Sequence, residues 1–276
     1  MHVRPLCSGI AVLCLFAGFV PTSHAQSTEF ELKSRLAHKP LYLRGLWRND
    51  DLHFDSGGKL IGDSDTTSFT LSGIEVVKVK LEKDRMQLRC RRVGLELDGS
   101  TPKRVPLRVG TLWSSHEEEV KIDVAAPASH YYGSVLDAIF VDNIADLMPS
   151  LPPWWQPYAH KHFLTASVSY DPYAASSSDA LARYGHEVVL PAPVNNTEPE
   201  FNTYAKLLMF KGTALIHMTI DKSGAPSKLS IKRPLGLGLD EQAIEAVRNW
   251  LFIPATRNGR PLSVEVDMEV NFQIIK

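Results

Sequence analysis

Histidines at short spacings are the residues of this chain with the clearest capacity for chemistry. His160 and His162 would share one side of an extended segment, where two imidazoles can bind a metal ion. No third ligand stands at a spacing typical of a metal site, so we interpret the two as surface histidines. His186-Glu187 begins like the helix motif of zinc proteases, but Leu190 occupies the place of the second histidine. The sequence therefore predicts no metal site.

Other catalytic and nucleotide-binding motifs are also missing from the sequence. It has no Gly-x-Ser-x-Gly elbow and no Walker loop, and Gly236 and Gly238 lack the third glycine of a dinucleotide fingerprint. Cys90 alternates with apolar neighbours, which predicts a buried strand position rather than a reactive thiol. The formal net charge of −1 gives no reason to expect nucleic acid as a partner. We predict a non-catalytic protein without a cofactor, and a hydrolase acting through the two histidines is the minor alternative.

The N-terminus, residues 1–25, has the composition of a secretory signal peptide. His2 and Arg4 precede an apolar run of 15 residues from Leu6 to Val20. A membrane-spanning helix needs about 20 residues. Ser23-His24-Ala25 then resembles a small-x-small cleavage site. The sequence predicts a secreted mature chain, and an uncleaved N-terminus that anchors the protein in a membrane is the alternative.

Residues 27–125 are predicted to form a mostly-β domain. Short alternating runs, such as Val77 to Leu81 and Met86 to Cys90, are separated by turn signals such as Lys83-Asp84-Arg85. Ser68 to Leu71 is a further strand candidate. Many short strands at close spacing are typical of a sandwich or a barrel-like sheet.

Further along the chain, three finer features are predicted. The apolar parity shifts at Val93, beside Gly94, which indicates a β-bulge. Residues 126–170 form a connector in which a helix from Val135 to Met148 is followed by a stretch rich in proline and tryptophan. Residues 171–198 are rich in Ser, Ala, Pro and Asn, which is typical of an exposed linker.

The C-terminal segment, residues 199–276, is predicted to form a small antiparallel sheet with one helix. Thr213 to Ile220 alternates as a strand, and a weaker strand follows around Ile231. Asp240 is placed to cap a helix that ends before Pro254. A final strand completes the order strand, strand, helix, strand. We therefore predict an α+β fold with a mostly-β N-terminal domain and this C-terminal unit.

The last strand, Val264 to Ile274, alternates without interruption. Its polar face carries Glu265, Asp267 and Glu269. The residues of its apolar face are Val264, Val266, Met268, Val270, Phe272 and Ile274. A period of two indicates a strand with one face on a core and one face in water.

Four ordered blocks in this segment resemble the C-terminal domain of TonB-family proteins. The blocks are Ile220-Asp221-Lys222-Ser223-Gly224, Leu239-Asp240-Glu241-Gln242-Ala243, Trp250-Leu251-Phe252-Ile253-Pro254-Ala255 and Asn258-Gly259-Arg260-Pro261. The resemblance implies a periplasmic module that binds the TonB box peptide of outer-membrane receptors by strand addition. Two features depart from the family: the Tyr-Pro pair near the start of the domain is missing, and no long Pro-rich spacer precedes it.

The predicted function follows from this resemblance. We predict that the protein binds an outer-membrane receptor or another envelope partner by β-strand addition, in connection with TonB-dependent transport. The predicted binding residues are those of the last strand: Val264, Val266, Met268, Val270 and Phe272. A second copy of the chain, pairing through its sheet edges, is a further candidate partner. The alternative is a small-ligand carrier or sensor in which the N-terminal β domain holds the ligand. Localisation is predicted to be periplasmic, with an inner-membrane anchor as the alternative.

Overall fold

The structure, a computed structural model, describes residues 27–97, 102–164 and 187–273. The predicted signal peptide and most of the predicted linker lie outside these residues. Within them the fold is α+β, as the sequence predicts, with many strands and few helices.

The helices of the described residues are short. They are α1 (Glu29–Leu36), α2 (Gly133–Ile139), α3 (Gln156–Ala159), α4 (Thr203–Leu207) and α5 (Leu239–Arg248). Two 3-10 helices span Phe69–Leu71 and Ile144–Ser150, and a π-helical turn spans His160–Leu164. In this described part of the chain, no helix has both the length and the apolar composition needed to cross a membrane.

The strands are numbered β1 to β18 along the chain. The first ten are β1 (Leu41–Leu43), β2 (Asp51–Phe54), β3 (Leu60–Ile61), β4 (Gly73–Leu81), β5 (Arg85–Glu96), β6 (Lys103–Pro106), β7 (Arg108–Gly110), β8 (Ser115–Glu117), β9 (Glu119–Ala125) and β10 (Phe140–Val141). The others are β11 (Val188–Val189), β12 (Ala192–Asn195), β13 (Gly212–Ile220), β14 (Pro226–Arg233), β15 (Leu251–Ile253), β16 (Thr256–Arg257), β17 (Arg260–Pro261) and β18 (Val264–Phe272).

The N-terminal strands pair as one sheet of eight, in the order β10-β1-β4-β5-β9-β2-β3, with β6 also paired to β5. The two end strands are not paired with each other, so the sheet is open, whereas the sequence predicted a sandwich or a barrel-like arrangement. Leu36 of α1 and Leu136 of α2 lie in the same core cluster as Leu88 of β5 and Ile122 of β9. Helices rather than a second sheet therefore cover this face.

Two local predictions in this half are wrong. Phe69–Leu71 is a 3-10 helix rather than a strand, because the Ser68 hydroxyl accepts a hydrogen bond from the Thr70 N–H and starts a helical turn. The helix predicted from Val135 to Met148 ends at Ile139. Phe140 and Val141 then pair with β1, so a tertiary contact interrupts the helical stripe.

The predicted bulge beside Gly94 is also absent. β5 pairs with β9 and β6 without a register shift, and the extra residue lies in β4, between Val76 and Lys78. The parity changes along β5 for another reason. Leu88 packs in the N-terminal core, but Leu95 packs in a second core on the opposite side. From Arg92 to Leu95 the strand is buried on both faces.

The C-terminal sheet has the antiparallel order β14-β13-β18. Ile216 of β13 and Val270 of β18 share a core cluster with Val247 of α5, so the helix packs on one face of the sheet. β13 and β14 are joined by a turn in which the Asp221 carboxylate accepts hydrogen bonds from the N–H groups of Ser223 and Ala225. Gly224 closes this turn at a φ of 87°.

The two halves of the molecule share the second core. Phe69, Leu95 and Trp155 lie in the same buried cluster as Ile216 and Val247. The main chain also joins the halves. The Leu97 N–H donates to the Leu235 carbonyl at 2.7 Å, and the Leu237 N–H donates to the Leu95 carbonyl at 2.8 Å. The predicted division of the chain into domains stays a prediction.

Candidate functional site

β18 is the edge strand of the C-terminal sheet. It pairs with β13 along its whole length, from Ile220 opposite Val264 to Gly212 opposite Phe272. Among the described residues, no strand pairs with its other side. A row of main-chain N–H and C=O groups along this side can therefore accept a further strand.

The five predicted binding residues lie on one face of β18. Val264, Val266, Val270 and Phe272 are buried, and Met268 is partly buried. Their side chains fill the core beneath α5, so only their main chain can reach a partner strand. The assignment of this strand as a binding site stays a prediction.

The opposite edge of the sheet is covered. The Ile231 N–H of β14 donates to the Trp154 carbonyl at 2.9 Å, just before α3. Trp154 thereby occupies a position that a partner strand would need. The sequence placed Trp154 in the stretch rich in proline and tryptophan, and nothing local to this stretch indicates that it covers a strand edge.

A groove of about 360 Å³ runs beside the C-terminal half of β18. Its near wall includes Glu269 and Asn271, and its far wall is formed by residues 196–201 and Trp250. Two contacts fix the far wall. The Trp250 indole N–H donates to the Thr197 carbonyl at 2.9 Å, and the Phe201 ring meets the Phe272 ring edge-on at 5.3 Å. The sequence assigned Thr197 to the linker and gave no signal for this wall.

The polar face of the sheet carries a cross-strand charge cluster. Asp267 of β18 accepts hydrogen bonds from His217 Nδ1 of β13 at 2.7 Å and from Lys232 Nζ of β14 at 2.6 Å. Burial by itself raises the pKa of the Asp267 carboxyl. The hydrogen bonds and charges of His217 and Lys232 outweigh it and leave this pKa below its ordinary value. The cluster ties all three strands together.

The start of α5 differs from the prediction. Gly238, at a φ of 71°, is the N-cap, and Asp240 is the second helical residue rather than the cap. The buried Asp240 carboxyl instead accepts from the N–H groups of Leu235 and Gly236, at 2.9 and 2.7 Å. Burial and the neighbouring Glu241 charge raise the pKa of Asp240, against the lowering effect of these N–H donors. Asp240 therefore organises the loop that meets β5.

The residues considered for catalysis occupy other places. His160 and His162 lie in a helical turn rather than an extended segment, and the His162 ring stacks on Tyr158 at 4.3 Å. His186 lies outside the described residues, which contain no group of three or more metal-ligating side chains. Cys90 is buried in β5, and burial raises the pKa of its thiol to about 12.

These features define a small α+β unit in which one sheet edge is covered and the other pairs with no strand of the described residues. Residues 197–274 match the family model of the Gram-negative bacterial TonB protein C-terminal domain. The protein tonB2 of Pseudomonas aeruginosa is 31% identical over 83 residues, which cover 28% of this chain. The chain spans only 31% of the length of that relative.

A solved structure is also similar to part of the chain. The solution NMR structure of the Pseudomonas aeruginosa TonB CTD has 17% sequence identity and a TM-score of 0.26. The match covers 34% of this chain and 92% of that structure. By the family model and the curated relative, residues 197–274 are a TonB-family C-terminal domain. This confirms the resemblance predicted from the sequence.

Proposed function

We propose that this protein binds an outer-membrane receptor or another envelope partner by β-strand addition to β18. The observation that carries the proposal is the asymmetry of the C-terminal sheet. Trp154 covers β14, whereas the side of β18 that faces away from β13 has no strand partner among the described residues. An exposed edge of nine residues offers enough main-chain groups for an extended segment.

The family membership of residues 197–274 supports the same function. TonB-type domains act with envelope partners, so we propose a periplasmic location and a link to TonB-dependent transport. An N-terminal inner-membrane anchor remains the alternative to a cleaved signal peptide. The carrier function receives less support, because apolar side chains such as Leu88 and Ile122 fill the inner face of the N-terminal sheet.

Photo-crosslinking tests where the partner lies. A photoreactive amino acid at Gln273, beside the groove, should capture an envelope protein in intact cells. The same residue at Lys222, in the exposed β13–β14 turn, serves as the matched control and should capture none. Equal capture from both positions would contradict binding at β18.

A pair of proline substitutions tests the strand-pairing mechanism. Because N–H groups alternate in direction along a strand, one of Glu269 and Val270 donates toward β13 and the other toward the open edge. We compare Glu269→Pro with Val270→Pro. The variant that removes the N–H facing the open edge should keep its fold, checked by circular dichroism, and should lose the crosslink from Gln273. If both variants fold and crosslink like the wild type, strand addition is wrong.

A further inference from the structure

The polar face of β18 carries acidic side chains. Glu265, Asp267 and Glu269 alternate along β18, and the Glu269 side chain is 62% exposed. The basic side chains that contact Asp267 and Glu269 are His217 of β13 and Lys232 and Arg233 of β14, so they lie on the side of β18 away from the open edge. An incoming strand would therefore meet the carboxylates first.

The groove beside the edge has the same sign of charge. Glu198 lies on its far wall and Glu269 on its near wall. Of the described residues that line it, none is Lys, Arg or His. The inward side of the groove is apolar instead, with Pro199 and Phe201 beside the buried Val270.

Because side chains alternate along a strand, this surface predicts which residues should alternate in a partner strand. A segment added to β18 places every second side chain opposite the carboxylates, where opposite charges attract and like charges repel. Its other side chains point toward Phe201 and Pro199. We propose that β18 selects an extended protein segment in which lysine or arginine alternates with apolar residues. This inference rests on the strand addition proposed above.

The same charges argue against a second copy of the chain as the occupant. An antiparallel pairing of two β18 strands centred at Met268 sets Asp267 of one copy opposite Glu269 of the other. Centred at Asp267, the pairing sets Glu265 opposite Glu269. Both registers bring carboxylates of the two copies opposite each other, so self-association in either register is disfavoured.

Three synthetic ten-residue peptides test the charge preference. Each alternates valine with a second residue, which is lysine, glutamine or glutamate, and binding is measured by fluorescence anisotropy. We expect the lysine peptide to bind roughly tenfold more tightly than the glutamine peptide, from two or three favourable cross-strand pairs. The glutamate peptide should bind most weakly, and the differences should shrink at about 1 M salt, where screening acts within about 3 Å.

Matched charge variants separate the edge from the overall charge of the protein. Glu269→Lys should remove the preference for the lysine peptide. Glu245→Lys makes the same change at a side chain of α5 that is 67% exposed, and it should keep the preference. If both variants behave alike, or if the three peptides bind equally, the proposed selection is wrong.

A lysine peptide with methylated backbone N–H groups distinguishes a failure of the charge preference from a failure of strand addition. Loss of binding on methylation, together with equal affinity of the unmethylated peptides, would overturn the charge preference alone. Equal binding of the methylated and unmethylated peptides would overturn strand addition.

Analytical ultracentrifugation measures the oligomeric state of the protein with and without the lysine peptide. If the protein is a dimer that the lysine peptide dissociates, the edge binds a second copy of the chain and the proposal is wrong. The proposal is also wrong if the lysine peptide does not bind.

Discussion

At the scale of single residues, Asp267 shows how one side chain serves both the fold and the candidate site. It lies on the outward face of β18, yet only 9% of its side chain is exposed because His217 and Lys232 reach across the sheet to it. Such a charge-assisted cluster holds the edge strand against β13 and keeps its main chain extended. The edge is thereby ordered before a partner arrives.

The depressed pKa of Asp267 predicts a dependence of stability on pH. A carboxyl whose folded-state pKa lies below its ordinary value of 3.8 stabilises the fold above that value, and this contribution disappears as the pH falls through the folded-state pKa. We expect Asp267→Asn to lower the free energy of unfolding by about 1 kcal/mol at pH 7, because a hydrogen bond to a charged group contributes about that much more than one to a neutral group. The loss should become smaller as the pH falls below 3.8 toward the folded-state pKa. Urea unfolding across this range measures it.

Glu245→Gln is the control, since it removes a carboxylate whose side chain is 67% exposed on α5. It should change the free energy of unfolding little at any pH. An Asp267→Asn protein that is as destabilised at pH 2 as at pH 7 would show that the effect is not electrostatic.

At the scale of elements, the loop that precedes α5 is the joint between the two halves. Gly236 takes a φ of 85°, and its neighbours Leu235 and Leu237 form main-chain hydrogen bonds with Leu97 and Leu95, at the end of β5. A side chain at Gly236 would place its Cβ 2.0 Å from the Leu95 carbonyl oxygen. Only glycine permits this approach of two backbones.

Gly236→Ala should therefore destabilise the protein by about 3 kcal/mol or more, because the clash adds to the strain of a positive φ. Gly62→Ala is a matched control. Gly62 has a φ of 86°, but a Cβ there would meet nothing within 4 Å, so the substitution should cost about 1 kcal/mol. Thermal unfolding of the two variants gives the comparison, and equal losses would contradict the role of the joint.

At the scale of the whole molecule, a shared core makes the halves dependent on each other. Trp155 is fully buried at the centre of this core, and its indole N–H donates to Glu241 of α5 at 3.1 Å. The TonB-family domain of this protein therefore packs against its N-terminal half through side chains and main chain alike. β18 therefore has a fixed orientation relative to the N-terminal half.

This packing predicts what happens when the chain is cut. A specific protease site inserted within residues 171–186 should yield two fragments that co-elute on size-exclusion chromatography, because the shared apolar core holds them together. Denaturing gels confirm that the cut is complete. Fragments that separate in native buffer would show instead that the halves are independent domains, as the linker-like composition of residues 171–198 predicted.

The sequence by itself determined the features that depend on a few neighbouring residues. The alternation in β18 placed Val270 and Phe272 in a core, the Lys83-Asp84-Arg85 signal marked the turn between β4 and β5, and Cys90 was correctly assigned as buried. Strand period and turn chemistry are local properties, so they are readable without the fold. The four ordered blocks then identified the C-terminal domain.

Only the tertiary structure decided which surfaces are covered. The second buried face of β5, the pairing of Phe140 with β1 and the carbonyl of Trp154 on β14 all involve contacts between distant parts of the chain. Local propensity gives way to such contacts because burying apolar surface and pairing main-chain groups contribute more than a helical or extended preference. Whether a strand edge is open therefore depends on residues far from that strand, and here it leaves β18 as the candidate site.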